Sequence, residues 1–480
     1  MDAGRKTDEQ GRRAERADAP PSSVARRPSS DLADGLPLPQ RYWAILTIGL
    51  AITMTVLDSA IANVALPTIA KDLHASAASS IWVVNAYQLA ITILLLPFSS
   101  LGEIVGYRRL YWAGLAGFTL ASLGCALADS LLTLTIARVV QGVGAAAVLS
   151  INGALVRFTY PRAMLGRGIG INAVVVACSA ALGPTVAAAI LAVAPWPWLF
   201  AVNVPVGLVA LVAARALPRV PGARRRFDVA SAFLNAVFFG LLIAAIDGAG
   251  HGEAAPLVAL EALTALFAGA LLVLRQLPQT APLLPVDLLR IPLFALSIAT
   301  SVASFVAQML AYTLLPFYLQ DALGRSQVAT GLLMTPWPVA TAIVAPLSGR
   351  LADRYPAGLL GGIGLATFAL GLGALALMPA GPSVLDIAWR MVFCGVGFGI
   401  FQSPNNRAII NSAPRERSGG ASGMLGTARL LGQTIGAALA ALMLGLFAVQ
   451  ATTVGLALAS GFAVIAAGVS ALRLFGLRQA

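Results

Sequence analysis

The sequence predicts an all-α integral membrane protein with about fourteen transmembrane helices. Hydrophobic residues make up 58% of the 480-residue chain and charged residues only 11%, whereas a soluble domain carries about 25% charged residues. Long apolar stretches recur from Tyr42 to the C-terminus, and arginines concentrate in alternate connections between them. Because a bilayer offers the backbone no hydrogen-bonding partners, the apolar stretches are expected to be helices.

Each apolar stretch is long enough to cross the hydrocarbon core, which takes about 20 helical residues. The first seven stretches cover about residues 42–66, 79–101, 108–128, 131–156, 165–193, 198–217 and 228–247. The other seven cover about residues 256–275, 293–319, 327–352, 358–379, 384–406, 419–449 and 452–475. An even number of spans predicts that both termini lie on the same side of the membrane.

The distribution of basic residues predicts the orientation. Arginines fill every second connection, including segments 108–109, 157–167, 215–226 and 407–417, whereas the intervening connections contain only Lys71 and Arg325 as basic residues. Short basic loops stay in the cytoplasm. We therefore expect a multi-pass protein of the plasma (inner) membrane with cytoplasmic termini. The net charge of +12 follows largely from this loop bias, so nucleic acid is not an expected partner.

The remaining composition predicts neither a signal peptide nor a cofactor. Residues 1–40 are rich in Arg, Asp, Ser and Pro and contain no apolar stretch, which predicts a disordered cytoplasmic tail. Cys125, Cys178 and Cys394 fall inside predicted helices without metal-ligand spacing. Neither a metal nor a disulfide is therefore expected.

Motifs of the first half return about 250 residues later. Leu66-Pro67 returns as Leu315-Pro316, the segment 97–103 as 346–353, and Arg138 as Arg390. The repeat predicts an N-terminal six-helix bundle at 41–217, an extra helix pair with cytoplasmic linkers at 218–290, and a C-terminal six-helix bundle with a short tail at 291–480. Duplicated halves are typical of transporters that work by alternating access.

Four motifs resemble signatures of one transporter family, the fourteen-helix drug:proton antiporter branch of the major facilitator superfamily. They are Leu57-Asp58-Ser59 with Asn63-Val64-Ala65-Leu66-Pro67 in the first helix, Arg138 with Gln141-Gly142 in the fourth, Leu182-Gly183-Pro184 in the fifth, and Trp198-Leu199-Phe200 with Asn203-Val204-Pro205 in the sixth. The resemblance extends over almost the whole chain from residue 42. It implies the major facilitator fold, with two six-helix bundles and two extra central helices.

The chain departs from the family pattern at several positions. Ala187 and Ala188 replace a pair of glycines expected after Pro184, Ser99 stands where the family favours Gly, and Glu103 stands where it favours Asp. The resemblance nevertheless implies a monomeric exporter of small amphipathic molecules, such as drugs, toxins or metabolites, that is coupled to protons and uses no cofactor.

Asp58 and Arg138 are the predicted proton-coupling residues. An intramembrane charge is costly unless it is neutralised or paired, so a carboxylate within a span is a candidate functional group by default. Burial disfavours a charged carboxyl and a nearby cation favours it, so alternation between two environments can load and release a proton. Arg138 carries a permanent charge that can influence such a carboxyl without titrating.

Two further groups of residues are predicted from their positions. Polar or aromatic residues within spans are candidates for the substrate cavity: Tyr87, Gln88, Trp337, Asn405, Asn406 and Arg429. Residues at cytoplasmic connections or at a helix kink are candidates for gating and conformational change: Glu103, Gly106, Arg108, Arg109, Gly183, Pro184, Asp353 and Arg354. For the first group the alternative explanations are core packing and the aromatic belt at the membrane interface. For the second group they are helix packing at the kink and loop charges that only set the topology.

Other functional classes fit the sequence less well. Lys6 and Lys71 are the only lysines and lie outside any phosphate-binding loop, which argues against an ATP-driven pump. No closely spaced aspartates suggest a membrane-embedded metal-dependent transferase. A transport-inactive sensor would not need Asp58 and Arg138. A proton-coupled uptake carrier of a small metabolite on the same fold stays open as the alternative, because fold does not decide direction.

Overall fold

The computed structural model describes residues 35–161, 164–220, 227–250, 253–277, 286–352, 354–379, 381–414, 418–447 and 450–476. The first six long helices are α1 Leu38–Asp72, α2 Trp82–Val105, α3 Tyr107–Ala126, α4 Leu131–Thr159, α5 Leu165–Leu191 and α6 Asn203–Ala213. Short helices at Ala77–Ser80 and Trp198–Ala201 precede α2 and α6. We call α1–α6 the first half.

Two helices, α7 Val229–Gly250 and α8 Ala255–Gln276, follow the first half and pack against each other. The second half consists of α9 Pro292–Phe317, α10 Pro336–Leu351, α11 Ala357–Ala376, α12 Val384–Ser412, α13 Ser418–Phe447 and α14 Ala451–Gly476. A helical extension at Tyr318–Ala322 follows α9, and the short helix Gln327–Met334 precedes α10. The predicted order of helices is thereby confirmed.

Thirteen helical segments of the described chain are long and apolar enough to cross a membrane. Helix α3 is the fourteenth long helix. Its 20 residues span about 30 Å at 1.5 Å per residue, but Arg108 and Arg109 lower its apolar character. It packs against α4 and α6, so its place in the first half comes from its neighbours.

Local sequence signals set several helix ends. The side chain of Ser130 accepts a hydrogen bond from the Thr133 backbone N–H, and the Thr133 hydroxyl accepts one from the Ser130 backbone N–H, which makes a capping box at the start of α4. Ser383 accepts from the Asp386 backbone at the start of α12. Such caps satisfy backbone N–H groups that have no partner within the helix.

Gly106 makes the abrupt turn between α2 and α3. Its φ of +101° and ψ of 130° lie in a region that is essentially restricted to glycine. One residue thus ends α2 and begins α3, which fixes the positions of Glu103 and Arg108 on either side of it.

We expect Gly106→Ala to lower the free energy of unfolding by about 1–3 kcal/mol, because alanine adopts this backbone conformation only with strain. Thermal unfolding of the purified protein in detergent measures this change. Gly117→Ala in α3 is the matched control, since a Cβ there meets no atom within 4 Å, and it should be neutral or stabilising. Equal behaviour of the two variants would contradict the strain argument.

The two halves pack together along three pairs of helices. Helix α2 contacts α13, α5 contacts α10 and its preceding helix Gln327–Met334, and α1 contacts α9. Under the sequence repeat α2 corresponds to α10 and α5 to α13, so the first two contacts are equivalent to each other. The extra helix α7 lies against both α2 and α13.

The halves are joined most continuously at the end of the molecule where α1 terminates, which we call the Asp72 end. A single buried apolar cluster there contains Leu66 and Ile69 together with Leu315 and Leu319 of the second half. At the opposite end, which we call the Leu38 end, the apolar cores are separate. One belongs to the first half apart from Leu430, and the other belongs to the second half.

Polar contacts reinforce the junction at the Asp72 end. The Gln320 side chain donates to the Val64 carbonyl at 2.9 Å, and the hydroxyls of Thr185 and Thr335 lie 2.8 Å apart. Lys71 and Asp321 form an ion pair of 2.7 Å with both side chains exposed. Because exposed ion pairs contribute about 0–1 kcal/mol, the apolar cluster supplies most of the adhesion.

If the halves separate at the Asp72 end during the transport cycle, a disulfide between Thr185→Cys and Thr335→Cys should stop transport until it is reduced. The test compares substrate transport before and after oxidation in a Cys178→Ser background, since Cys178 is an exposed cysteine.

The matched control for this crosslink is Thr53→Cys with Ser179→Cys, whose hydroxyls lie 3.2 Å apart on α1 and α5 within the first half. Crosslinking that pair should leave transport intact. Full activity of the oxidised Thr185–Thr335 pair would show that this junction does not open.

Candidate functional site

The first half contains a buried ion pair between α1 and α4. Asp58 and Arg138 have side-chain exposures of 1% and 0%, and Arg138 Nη1 donates to Asp58 Oδ2. They are the two residues that the sequence predicts as the coupling pair, and the structure brings them into direct contact. The assignment of proton coupling to this pair stays a prediction.

Amide side chains complete the coordination of the Asp58 carboxylate. Asp58 Oδ1 accepts hydrogen bonds from Gln141 Nε2 at 2.9 Å and Asn203 Nδ2 at 2.8 Å. Gln141 also donates to Ser122 Oγ at 2.9 Å and accepts from Arg138 Nη1 at 2.6 Å. One carboxylate therefore ties α1 to α4 and α6, and through Gln141 to α3.

Aromatic rings enclose the Arg138 guanidinium. The guanidinium carbon lies 4.1 Å from the centroid of the Tyr87 ring and 5.4 Å from that of Phe200, both within the range of cation–π attraction. Arg138 Nε donates to the Val83 carbonyl at 2.8 Å. The Tyr87 hydroxyl donates to the Thr55 carbonyl at 2.9 Å. The pair is thus shielded from water on the α2 side.

Glycines on α4 make this close arrangement possible. A Cβ on Gly142 would lie 2.7 Å from the Tyr87 carbonyl oxygen, and one on Gly144 would lie 2.5 Å from the Phe118 nitrogen. Both separations are too short for real atoms, so α4 approaches α2 and α3 closely only because these positions lack side chains. The Arg138 side chain is held between helices as a result.

The described residues of the second half contain no equivalent of the Asp58–Arg138 pair. Arg390 corresponds to Arg138 but bonds Asp386 one turn earlier on its own helix, at 3.1 Å. Ala307, which is fully buried, occupies the position of Asp58 in the repeat. The two halves therefore differ chemically at the positions of Asp58 and Arg138.

Several predicted cavity residues lie inside the bundles. Tyr87 and Trp337 are 0% and 1% exposed. Tyr87 belongs to the surroundings of Arg138, and Trp337 packs edge-on against the rings of Tyr312 and Phe368. Both positions differ from the predicted cavity wall, because large rings on helix faces that meet other helices are taken up in packing.

Asn405 also lies away from the space between the halves. It donates to Ser301 Oγ at 2.7 Å and accepts from Arg473 Nη1 at 2.8 Å, inside the second half near its Leu38 end. Arg473 also donates to the hydroxyls of Ser297 and Ser470. This buried polar network was missed from the sequence, since Arg473 sits at the end of α14, where arginines usually mark only topology.

Gln88, Asn406 and Arg429 complete the predicted cavity set. Gln88 of α2 is buried and donates to Gln433 of α13 at 3.4 Å, across the two halves. Asn406 and Arg429 are half-buried on α12 and α13. Gln88 and Arg429 therefore lie on the two helices, α2 and α13, that meet between the halves.

The predicted gating residues lie at the Leu38 end and at the junction of the halves. Glu103 and Arg108 are half-buried beside the Gly106 turn, and Arg109 and Arg354 are exposed. Asp353 lies outside the described residues. Their proposed role in gating and conformational change stays a prediction.

Gly183 and Pro184 are buried where α5 meets both α1 and the second half. A Cβ on Gly183 would collide with Ala60, and the Pro184 carbonyl oxygen lies 2.5 Å from the position of a Cβ on Gly331. The backbone of α5 at Pro184 packs closely against Gly331 because Gly331 has no side chain. Glycines at 183 and 331 therefore allow this close packing, and a role of Gly183 and Pro184 in conformational change stays a prediction.

Sequence reasoning assigned no role to Gln141 or Asn203. Both occur in the quoted motifs, and both are polar residues within otherwise apolar spans. That rarity was the available signal, because a buried amide in a membrane helix needs a hydrogen-bonding partner. Which partner it binds depends on how α4 and α6 are placed around α1.

The fold and the motif positions agree with one family. Residues 48–437 match the family model described as Major Facilitator Superfamily. The chain belongs to the major facilitator superfamily. As a member of that superfamily it is a multi-pass membrane transport protein and not an enzyme.

Three curated relatives are similar to this chain over most of their length. The chain is 61% identical over 445 residues to "Uncharacterized transporter YebQ" of Escherichia coli (strain K12), covering 92% of this chain and 97% of the relative. It is 32% identical over 427 residues to the tetracenomycin C resistance and export protein of Streptomyces glaucescens, covering 87% and 78%. It is 30% identical over 402 residues to the riboflavin transporter RibZ of Clostridioides difficile (strain 630), covering 83% and 87%.

Solved structures share the major facilitator fold at low identity. A POT family transporter in complex with a thioalcohol-conjugated peptide aligns with a TM-score of 0.71 at 13% identity, over 91% of this chain and 96% of that chain. A D-xylose-proton symporter aligns with a TM-score of 0.66 at 14% identity, over 89% and 97%. At such identities the likeness shows the fold alone.

We expect Arg138→Met to lower the free energy of unfolding by about 3–5 kcal/mol, because it leaves the Asp58 carboxylate buried without a cation. Adding Asp58→Asn should recover much of the loss, since the double variant buries no unpaired charge. Thermal unfolding in detergent measures both changes.

Arg390→Met provides the matched control for this prediction. Its pair with Asp386 is within one helix and partly exposed, so its removal should cost about 1 kcal/mol or less. If Arg138→Met and Arg390→Met destabilised the protein equally, or if Asp58→Asn gave no recovery, the energetic account of the buried pair would be wrong.

Proposed function

We propose that this protein is a proton-coupled exporter of small amphipathic molecules, of the drug:proton antiporter branch, that works as a monomer without a cofactor. The observation that carries the proposal is the Asp58 carboxylate, buried in a membrane helix and bound to Arg138, Gln141 and Asn203. The similarity to an antibiotic resistance and export protein supports the direction.

The environment of Asp58 suits a carboxyl that gains and loses a proton as the protein changes conformation. For carboxyl groups in general, removal from water and contact with a cation act on proton binding in opposite directions. The donors come from α4 and α6, whereas Asp58 lies on α1. A shift of α1 relative to these helices changes both influences together, so proton binding and helix position are linked.

We infer the membrane orientation from the arginine distribution, which favours the Leu38 end as cytoplasmic in the inner membrane. The joined Asp72 end then faces outward, and the separate cores lie toward the cytoplasm. In this arrangement the substrate enters from the cytoplasm between the halves. Proton binding to Asp58 from the outside accompanies the opposite arrangement.

Uptake of a small metabolite with protons is the second candidate function. It is favoured by the 30% identity to the riboflavin transporter RibZ. The same coupling residues would serve either direction, because the order of proton and substrate binding decides which way a carrier works.

The test uses everted inner-membrane vesicles with an acidic lumen and a pH-sensitive dye. The probes are ethidium, riboflavin and 2-naphthoic acid, added first to the medium and then, in separate vesicles, preloaded into the lumen. An exporter releases protons from the lumen when its substrate is in the medium. An uptake symporter releases them when the substrate is in the lumen.

Asp58→Asn should abolish the proton release that a substrate causes in wild-type vesicles, because it removes the group that carries the proton. Asp386→Asn is the matched control, since it alters the carboxylate of the ion pair on α12 and should leave coupling intact. Proton release by Asp58→Asn equal to that of wild type would reject Asp58 as the coupling group.

A further inference from the structure

We propose that Arg429 of α13 is an anion-recognition residue between the two halves, so that the preferred substrates carry a carboxylate or another acidic group. This inference rests on the proposed transport function and adds its substrate class. It is carried by the direction of Arg429 on α13, by its lack of a partner, and by the amide groups beside it.

The contacts of α13 determine where Arg429 points. Gly432 and Gly436 lie against α9, with a Cβ on either meeting backbone oxygen of Val302 or Val306 at 2.6 Å. Thr434 contacts Thr92 of α2 at 3.1 Å on a different face. At 100° per residue, Arg429 lies about 60° from Gly432 and about 20° from Gly436 on one side, and about 40° from Gln433 on the other. Arg429 therefore projects into the wedge between α9 and α2, which belong to opposite halves.

The guanidinium of Arg429 has no hydrogen bond or ion pair within the described part of the chain. It is half-buried, and its Nε is fully enclosed without an acceptor. Three other arginines within described spans have such partners, although Arg138 Nη2 and Arg473 Nε are also enclosed without an acceptor. Arg138 and Arg390 each bind an aspartate, and Arg473 binds the oxygens of Ser297, Asn405 and Ser470.

The Gln433 amide beside Arg429 offers a further donor. Gln433 is one helical turn away on the same face, and its oxygen accepts the Gln88 amide at 3.4 Å. That contact uses only the oxygen of Gln433, so its amide nitrogen is available to donate to another group. A guanidinium with five N–H donors and a neighbouring NH₂ group matches a carboxylate in charge and in hydrogen-bonding capacity.

The position of Arg429 between the halves suits it to bind a substrate anion rather than to neutralise an acidic residue of the protein. An unpaired charge in a membrane protein is costly and is retained where it faces an aqueous cavity or a ligand. Asp58 does not neutralise it, because its carboxylate is bound to Arg138, Gln141 and Asn203. A cationic substrate would meet repulsion at Arg429, whereas an anion would complete the site.

The charge balance of transport follows from this assignment. Export of a monovalent anion in exchange for one proton moves two positive charges inward in total. Such transport responds to an inside-negative membrane potential even without a pH gradient. Export of a monovalent cation for one proton moves no net charge.

The experiment compares three compounds on one scaffold, 2-naphthoxyacetic acid, its methyl ester and 2-naphthoxyethylamine, with riboflavin and ethidium as further probes. Everted vesicles contain wild type, Arg429→Gln, Arg429→Lys or Arg290→Gln. Arg290→Gln removes one positive charge from an exposed position in the linker before α9 and serves as the control. The concentration for half-maximal proton release is measured for each compound.

In wild type the acid should release protons at a concentration about tenfold lower than the ester or the amine, as expected for a charge-assisted hydrogen bond. Arg429→Gln should lose this preference, Arg429→Lys should retain part of it, and Arg290→Gln should match wild type. The acid response should also depend on membrane potential in wild-type vesicles.

Three results would overturn the inference. If wild type exports the ester, amine, riboflavin or ethidium in an Asp58-dependent manner without preferring the acid, the transport function stands and the anion site is rejected. If Arg429→Gln exports the acid as well as wild type does, Arg429 does not recognise it. If no compound gives an Asp58-dependent response, both the proposed function and this inference fail together.

Discussion

Placing a carboxylate in the middle of a membrane helix is the constraint on which the rest of the first half depends. Asp58 is held by a guanidinium and two amides that come from α4 and α6, and Gln141 extends the network to Ser122 of α3. Because an unpaired charge at this depth costs several kcal/mol, these helices are fixed relative to α1. The glycines of α4 and the aromatic rings around Arg138 serve the same arrangement, since they bring the helices close and exclude water.

The duplication of the halves provides symmetric packing without symmetric chemistry. The α2–α13 and α5–α10 contacts are equivalent under the repeat, so either end of the molecule can in principle separate by similar movements. The second half has Ala307 in place of Asp58, and its Arg390 is bound locally. Proton chemistry can thus reside in one half while the other half contributes a cation, Arg429, to the space between them.

The junction at the Asp72 end combines contacts of different strength. Its apolar cluster and the hydroxyl pair of Thr185 and Thr335 join the halves, whereas the exposed ion pair of Lys71 and Asp321 adds little. Gly183 and Pro184 lie beside this junction, at the packing surface between α5 and Gly331. Movement of one half against the other would therefore change a packing contact between α5 and Gly331 that contains few hydrogen bonds.

The sequence by itself determined the all-helical membrane fold and the order of its long helices, since hydropathy and helix length are local properties of the chain. It also singled out Asp58 and Arg138 as intramembrane charges, because such charges are rare enough to stand out. It could not determine that Tyr87 and Trp337 are buried inside bundles, that Asn405 binds Arg473, or that Asn203 binds Asp58. Those facts depend on which helix faces meet, and a helix face that is polar or aromatic has the same sequence whether it meets a cavity or another helix. Only the tertiary structure shows that Arg138 has a carboxylate partner and that Arg429 has none among the described residues, because partners come from helices far apart in the chain.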